Sequence, residues 1–362
     1  MGYYKNISLI NFRNFNSLKL EFSKNCNVFY GKNGSGKTNI LEAVSLLTKG
    51  RGFKKDKLSN IIKNNSKKFI INSEFQNNET VYNLLSESYD INKRILKSLS
   101  INNDKSQSTL SLLYKFIPFL VFLPETERLF VSSPSKRRNF LDRFIFNYTD
   151  NYNNLINKYN KCILERSTLL NKGINDQNWL DQIEINISEF GLQIYSLRSN
   201  QVNLLKDYTN IFLNDFKLPF LINIELTDKY FNQEFNQKYF IKQLRLNRKY
   251  DSIVGGCKIG PHKSDYIFHI NNKYLASQLS TGQQKTLILL MYISQCRYLI
   301  DTFDRKPILL LDEVCSHLDD LNRNILLTLV ESFDLQVFMT GTTKNLFSFL
   351  STNTNFCNIT TK

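Results

Sequence analysis

The sequence predicts an α/β protein: mixed sheets surround the helix of a glycine-rich loop, and a mainly helical lobe is inserted between the two halves of that head. Three observations predict it. A strand-like "NVFY" leads into "GKNGSGKTNILEAVSLLTKG"; two apolar runs, "KPILLLDEV" and "LQVFMTGTT", stand near the other end; and the middle of the chain steps its apolar residues at three and four. Apolar runs of that kind suit a parallel sheet covered on both faces.

Taken in order, residues 3–30 alternate as strands do in "NISLIN" and "SLKLEF", with "FRNF" between them. After the glycine-rich loop, Ile40, Leu41, Val44 and Leu47 recur at helical spacing, and Gly50 stands where a C-cap glycine belongs. From Lys67 to Ile101, "FIINSEF" and "VYNLLSESY" are separated by Asn-rich turns, which predicts an antiparallel sheet, and a further strand-like run ends at Pro124. Beyond Pro134, Leu141, Phe144, Ile145, Tyr148, Tyr152, Leu155, Tyr159, Cys162 and Ile163 predict one amphipathic helix that breaks near "NKGIND". A second runs from about Trp179 to Phe212, giving a helical hairpin or short arm, with a plain helical lobe as the alternative. Short strands return after "GGCKIGPHKSDYIF". The expected division is a head of residues 1–130 and 255–362 and a lobe of 131–254, with a helix near 279–300 at their junction.

The 362 residues, 42% hydrophobic and 22% charged, suffice for two cores. A net charge of +15 favours a polyanionic partner, nucleic acid or an acidic membrane surface. The chain leans on Lys, Asn, Ile, Tyr and Phe, the residues of A/T-rich codons, so local basic clusters carry more meaning than the total. The six cysteines form no C-x-x-C pair, and Cys257, His262 and His269 fit no zinc spacing. The opening "MGYYKN" shows no apolar leader, Asn6 stands where myristoylation needs Ser or Thr, and "FIPFLVFLP" is too short to span a bilayer. The expected class is a soluble cytoplasmic protein with no membrane partner.

Gly31, Gly36, Lys37 and Thr38 match G-x-x-x-x-G-K-[ST] in the strand-to-helix context that the pattern requires. From Gly31 through Lys32, Asn33, Gly34 and Ser35 to Gly36, backbone N–H groups approach phosphates, and the helix opening at Lys37, Thr38 and Asn39 adds its dipole. Lys37 reaches the β- and γ-phosphates of a nucleotide, and the Thr38 hydroxyl holds Mg²⁺. "PILLLDEV" delivers Asp312 to the same metal and Glu313 beside it, a pair suited to polarising water for in-line attack. Alone, "LSTGQQK" reads either as a phosphate grip at a helix start or as an ordinary helix capped by Ser or Thr.

The order glycine-rich loop, "LSTGQQK", apolar Asp-Glu strand resembles the ATP-binding-cassette ATPases. That resemblance implies an ABC-ATPase head in which the signature of one subunit caps the γ-phosphate held by the other. Ser280, Gly282 and Gln283 then hold a partner's nucleotide, and Ser316 and Asp319 of "SHLDD" lie at the dimer interface. The insertion is longer than in transporter subunits and shorter than in long coiled-coil relatives. The strings "LINFRNF", "FLPETERLFVSSPSKRRNFLD", "GPHKSD", "LSTGQQKT", "PILLLDEVCSHLDD" and "QVFMTGT" together resemble the RecF family of bacterial recombination mediators over nearly the whole chain.

That family resemblance implies a slow ATPase that binds DNA, dimerises with ATP and helps RecR and RecO load RecA at single-strand gaps and stalled forks. ATP and Mg²⁺ are the implied cofactors, with Lys37, Asp312, Glu313 and Ser280 as catalytic residues. Arg13, in "FRNF", is either a nucleotide-phosphate contact or a surface residue between strands. Thr340 stands where cassette heads usually carry a histidine and would offer the nucleotide a hydroxyl contact in its place, and no Q-loop glutamine is evident, Glu125 being a weak substitute; both departures suit slow turnover. Lys136, Arg137 and Arg138 fall in the first turn of a helix, where the dipole disfavours cations by several tenths of a kcal/mol, roughly. An anion nearby is therefore expected, either DNA phosphate or carboxylates of a neighbouring strand. Arg245, Arg248 and Lys249 of "LRLNRKY" are a second DNA-contact candidate, or a solvated face. A transporter subunit and a clamp-only SMC-like or phage-defence ATPase are the competing classes.

Overall fold

A computed structural model describes residues 2–360 apart from 49, 93, 174–175, 232–234 and 317, with the backbone alone at 112–116. In chain order the elements are β1 (Gly2–Tyr4), β2 (Asn6–Phe12), β3 (Phe15–Glu21), β4 (Cys26–Tyr30), α1 (Lys37–Leu46), α2 (Leu58–Ile61), β5 (Ile70–Asn77), β6 (Thr80–Ile91), β7 (Arg94–Ile101), α3 (Gln107–Phe116) and β8 (Phe119–Phe122). There follow α4 (Pro134–Phe146), α5 (Tyr152–Asn171), α6 (Gln177–Asp215), β9 (Ile222–Thr227), α7 (Gln237–Leu246), α8 (Arg248–Val254), β10 (Asp265–Ile270) and β11 (Tyr274–Leu275). The chain closes with α9 (Thr281–Phe303), β12 (Ile308–Leu311), α10 (Asp320–Glu331), β13 (Val337–Gly341) and β14 (Asn355–Asn358). These residues fall into two compact units, 1–127 with 285–362 and 128–284. The second boundary lies inside α9 rather than near 254, because β10 pairs along its length with β9 and so keeps 255–284 with the inserted segment.

The first unit holds an antiparallel sheet ordered β3-β2-β5-β6-β7, with β1 on β5, and a parallel sheet ordered β14-β4-β13-β12-β8. Their burial follows the sequence. In β2, Ile7, Leu9 and Phe12 turn inward, whereas all of β12 and β13 is buried, as an apolar strand in the middle of a covered parallel sheet must be. Helix α1 contacts β13 of one sheet and β2 of the other, so it buries residues on every side, Ile40, Leu41, Ala43, Val44 and Leu46 among them. It ends at Leu46, where the Leu47 N–H turns back to the Val44 carbonyl, so Gly50 lies beyond the cap that its sequence position suggested. Lys97, reaching from β7, donates to the carbonyls of Leu46 and Thr48 at 3.0 and 2.7 Å, closing the negative end of the helix dipole. Burial pushes its pKa down to about 8.

In the second unit the expected single helix from Leu141 to Ile163 is two, α4 and α5. The apolar period continues across the break, but "NYTDN" between them is made of turn-forming and capping residues, and the chain leaves the helix at Asn147. Helices α5 and α6 form the hairpin, packed through Tyr159, Leu169, Leu180, Ile183 and Ile187. Its polar centre is Arg166, wholly buried. Nε donates to Glu184 Oε1 at 2.8 Å, Nη1 to Asp251 Oδ2 at 2.7 Å and Nη2 to the Leu244 carbonyl at 2.8 Å. Arg248 adds a second guanidinium to Glu184, at 3.0 and 2.6 Å, so that carboxylate is doubly paired. This one network fixes α5, α6, α7 and α8 together.

Removing one partner of a buried ion pair leaves the other uncompensated. Arg166→Met is therefore expected to destabilise the protein by about 3–5 kcal/mol. Arg245→Ala, which breaks a half-exposed pair with Asp181, is expected to stay below about 1 kcal/mol. Urea unfolding of both variants checks the contrast.

Candidate functional site

Three neighbouring strands of the parallel sheet bring the site together. β13 lies between β4 and β12, in a register that sets Thr340 beside Phe29 and Met339 beside Leu311. The residues just past the carboxyl ends of β4 and β12 therefore emerge at one level on either side of Thr340. In open α/β sheets that edge is where ligands bind.

The loop after β4 requires its glycines. Gly31 has φ +151°, and a Cβ there would lie 2.4 Å from the Ile359 carbonyl oxygen. Gly36 has φ +101°, and its Cβ would lie within 2.7 Å of Phe15 and Asn14 atoms. Lys37 folds back along the loop and donates from Nζ to the carbonyls of Gly31 and Lys32 at 2.8 and 3.0 Å, which leaves it 5% exposed. The loop thus encloses a cation within a turn of backbone. The buried Ser35 hydroxyl has no hydrogen-bond partner among the described residues, a polar vacancy in the same loop.

Beneath the loop is a carboxylate held by two hydroxyls. Thr38 Oγ1 lies 2.9 and 3.0 Å from the two oxygens of Asp312, and Thr340 Oγ1 donates to Asp312 Oδ1 at 2.6 Å. The Thr340 oxygen in turn accepts the Glu313 N–H at 2.9 Å. Glu313 has φ +51°, a left-handed conformation that a non-glycine residue adopts only when its surroundings hold it there. Thr340 therefore fixes both members of the Asp-Glu pair, one through its side chain and one through its backbone.

The Arg13 guanidinium is bidentate to the buried Glu42 at 2.8 and 2.6 Å, and it also pairs with Asp56 at 2.5 Å. Burial pulls its pKa down, but the two carboxylates outweigh this and the net shift is upward. The residue of "FRNF" that does touch the loop is Asn14, which donates to the Ser35 carbonyl at 3.1 Å and accepts from Asn39 at 2.9 Å. Sequence reasoning named only Arg13 of that string and missed the short amide beside it, which holds the loop.

Ser280 and Gln283 hold each other in a capping box at the start of α9. The serine oxygen accepts the Gln283 N–H at 3.3 Å, and Gln283 Oε1 accepts the Ser280 N–H at 3.1 Å. Both are exposed, while Gly282 beside them is half-buried. Lys285, one turn on and 6% exposed, donates to the Ser316 carbonyl at 2.9 Å and pairs with Glu127 at 2.7 Å. It was not foreseen, although a lysine heading an apolar helix signals a buried partner. In "SHLDD", Asp319 caps α10 by accepting the Asn322 N–H at 2.8 Å, and His317 lies outside the described residues. Glu125 is exposed in a short 3₁₀ turn that follows β8.

The basic cluster of α4 divides. Arg137 is bidentate to Asp265 at 2.9 and 2.6 Å, so its anion is a carboxylate of β10. Arg138 donates to the Ser264 carbonyl, and Lys136 is exposed. Arg248 belongs to the Glu184 network, Arg245 pairs with Asp181, and Lys249 is exposed.

The family model of the RecF/RecN/SMC N terminal domain matches residues 3–361. The DNA replication and repair protein RecF of Rickettsia massiliae is 33% identical over 343 residues, 93% of each chain, and that of Rickettsia akari is 32% identical over 339 residues, again 93% of each. Among solved structures, the recombination mediator protein RecF with ATP, of the RecFOR pathway, superposes with a TM-score of 0.81 at 30% identity, covering 95% of this chain and 94% of that one. Its complex with ATPrS gives 0.84 at 28%, covering 97% and 94%. The Smc head domain of Pyrococcus furiosus, at 16% identity, a TM-score of 0.55 and coverage of 97% and 92%, shares the fold alone. The architecture is that of an ABC-ATPase head with an inserted helical arm.

Thr340→Val keeps the shape but leaves Asp312 and the Glu313 N–H each short of a partner. A loss of about 1–3 kcal/mol is expected in urea unfolding, with Thr340→Ser retaining most of it. Equal stability of the valine and serine variants would show that the hydroxyl does not hold the pair.

Proposed function

The chain belongs to the RecF family, and on that premise we propose that it is a slow ATPase acting in DNA replication and repair, a DNA-binding switch that ATP closes into a dimer. The observation that carries the nucleotide part is the carboxylate of Asp312 held against Thr38 directly under a loop that encloses Lys37. Backbone N–H groups of residues 31–36 and the amino end of α1 bind the phosphates, and Lys37 exchanges two carbonyl acceptors for charged phosphate oxygens. The unpartnered Ser35 hydroxyl suits the same ligand.

Thr38 and Asp312 are the donor set for Mg²⁺, which takes one or two protein oxygens and completes its shell with phosphate and water. The ion fits these hard oxygen donors, and when bound it neutralises charge on the phosphate oxygens. Glu313 accepts the proton of the attacking water while that oxygen bonds to the γ-phosphorus and the bond to the β-phosphate oxygen breaks, giving ADP and phosphate. Thr340 positions this carboxylate rather than touching nucleotide, and Asn14 steadies the loop through Ser35 and Asn39.

Ser280, Gly282 and Gln283 present an exposed helix start to the nucleotide of a second copy; the capping box keeps the serine in place before that copy arrives. DNA, with gaps and single-strand/double-strand junctions as its form, RecO and RecR as partners and RecA as the loaded recombinase follow from the family. The solved RecF structures are assigned to the RecFOR pathway, which supports this reading.

Lys37→Ala is expected to abolish ATP binding in a filter assay. Glu313→Gln is expected to bind ATP normally and hydrolyse it about 10²–10⁴-fold more slowly; a variant as fast as wild type would remove Glu313 from the mechanism. By light scattering, ATP should double the molar mass of Glu313→Gln, and adding Ser280→Arg should prevent the doubling. A monomer with ATP bound would mean that the second copy is not what this helix start grips.

A further inference from the structure

A cavity of about 190 Å³ opens within the second unit, between the start of α4, helices α5 and α6, and the segment "GPHKSD". Its charges do not balance. Arg198, 3% exposed, is bidentate to Asp142 at 2.9 and 2.8 Å and also donates to the Pro261 carbonyl and to Ser264 Oγ, so that pair is internally satisfied. Asp142 is further occupied by the Tyr152 hydroxyl at 2.7 Å. Arg137, the neighbour of the cavity, is neutralised by Asp265. His262 brings no charge: Nε2–H donates to the Cys257 carbonyl at 2.8 Å, leaving Nδ1 to accept the Tyr159 hydroxyl at 2.7 Å, and burial pushes its pKa down to about 4.

Arg138 is the remainder. It lines the cavity half-buried, its Nη1 donates to the Ser264 carbonyl, and among the described residues no carboxylate pairs with it, although a guanidinium carries five donors. Burial lowers its pKa, and the charge of Arg198 lowers it further; Asp265 and Asp142, each paired with another arginine, pull it up by less. Around it the cavity offers donors, Ser135 in the first turn of α4 and the amides of Asn139 and Asn160, while Asp142, the carboxylate that also lines it, is taken up by Arg198 and Tyr152.

We propose that this cavity is an oxyanion site that takes a phosphate group, with Arg138 as its charged ligand and Ser135, Asn139 and Asn160 completing the grip. The guanidinium fork suits a tetrahedral oxyanion, and the cavity has room for one with part of its hydration. The inference is independent of the nucleotide reading, because no residue of residues 31–39 or of the Asp-Glu pair takes part.

The test is calorimetric titration of inorganic phosphate at constant ionic strength into the full chain after saturation with ADP. The ADP titration comes first, so a failure of nucleotide binding is read separately. Wild type is expected to bind phosphate saturably, and Arg138→Gln to bind it at least about tenfold more weakly, the loss expected for one charge-assisted contact. Asn160→Asp changes an exposed residue whose side chain makes no hydrogen bond among the described residues, and is expected to weaken binding by repulsion with the fold intact. Absence of saturable binding, or equal binding by wild type and both variants, overturns the proposal. The source of the phosphate is read from DNA affinity against salt. If DNA backbone fills the cavity, inorganic phosphate competes and Arg138→Gln reduces the log–log slope by about one. If DNA binding is indifferent while phosphate binding is lost, the occupant is a small phosphate-bearing molecule.

Discussion

The first unit depends on the pair of threonine hydroxyls that hold the Asp312 carboxylate. One comes from the start of α1 and the other from β13, and the carboxylate itself ends β12. A buried carboxylate without partners is costly in an apolar sheet, so this one ties α1 to the two neighbouring strands β12 and β13 in a single geometry. The strained φ of Glu313 is part of the same arrangement, since the hydroxyl that donates to Asp312 also accepts the Glu313 N–H. The Asp-Glu pair is thereby aimed by the sheet rather than by a mobile loop.

Helix α1 is the second consequence of that constraint. Its amino end forms the floor of the glycine-rich loop and its carboxyl end is clamped by Lys97, so the helix is held at both poles of its dipole. The buried Glu42 midway along it needs a cation, and Arg13 supplies one. Arg13 is thereby paired with a carboxylate inside the core, which would be costly to leave without a cation.

In the second unit guanidinium groups play the equivalent part. Arg166, Arg198, Arg137 and Arg248 each meet a carboxylate in bidentate or multiple contact, and each of those contacts joins helices or joins a helix to the segment around β10. A lobe built on a long helical hairpin has little width in which to grow an apolar core, and planar, directional ion pairs fix its register where packing alone is tolerant. Much of the basic character of α4 and of "LRLNRKY" is therefore structural, and the cations without a carboxylate partner among the described residues, Arg138, Arg143, Lys136 and Lys249, are the informative ones.

The sequence alone determined the local patterns. Alternation in "NISLIN", unbroken apolarity in "PILLLDEV" and glycines at 31 and 36 are each consequences of one residue's backbone and its near neighbours, so strands, buried sheet and loop could be read directly. The combination of motifs likewise carried the RecF family, because their order along the chain is itself sequence information. The tertiary structure decided what each side chain faces. That Arg13 turns to Glu42 and Asn14 to the loop, that Thr340 bridges Asp312 and Glu313, and that Arg137 is spent on Asp265 while Arg138 is not, are contacts between residues far apart in the chain. No periodicity encodes such pairings. They follow from where the strands and helices come to rest, because a charge takes whichever partner the fold brings within hydrogen-bond distance.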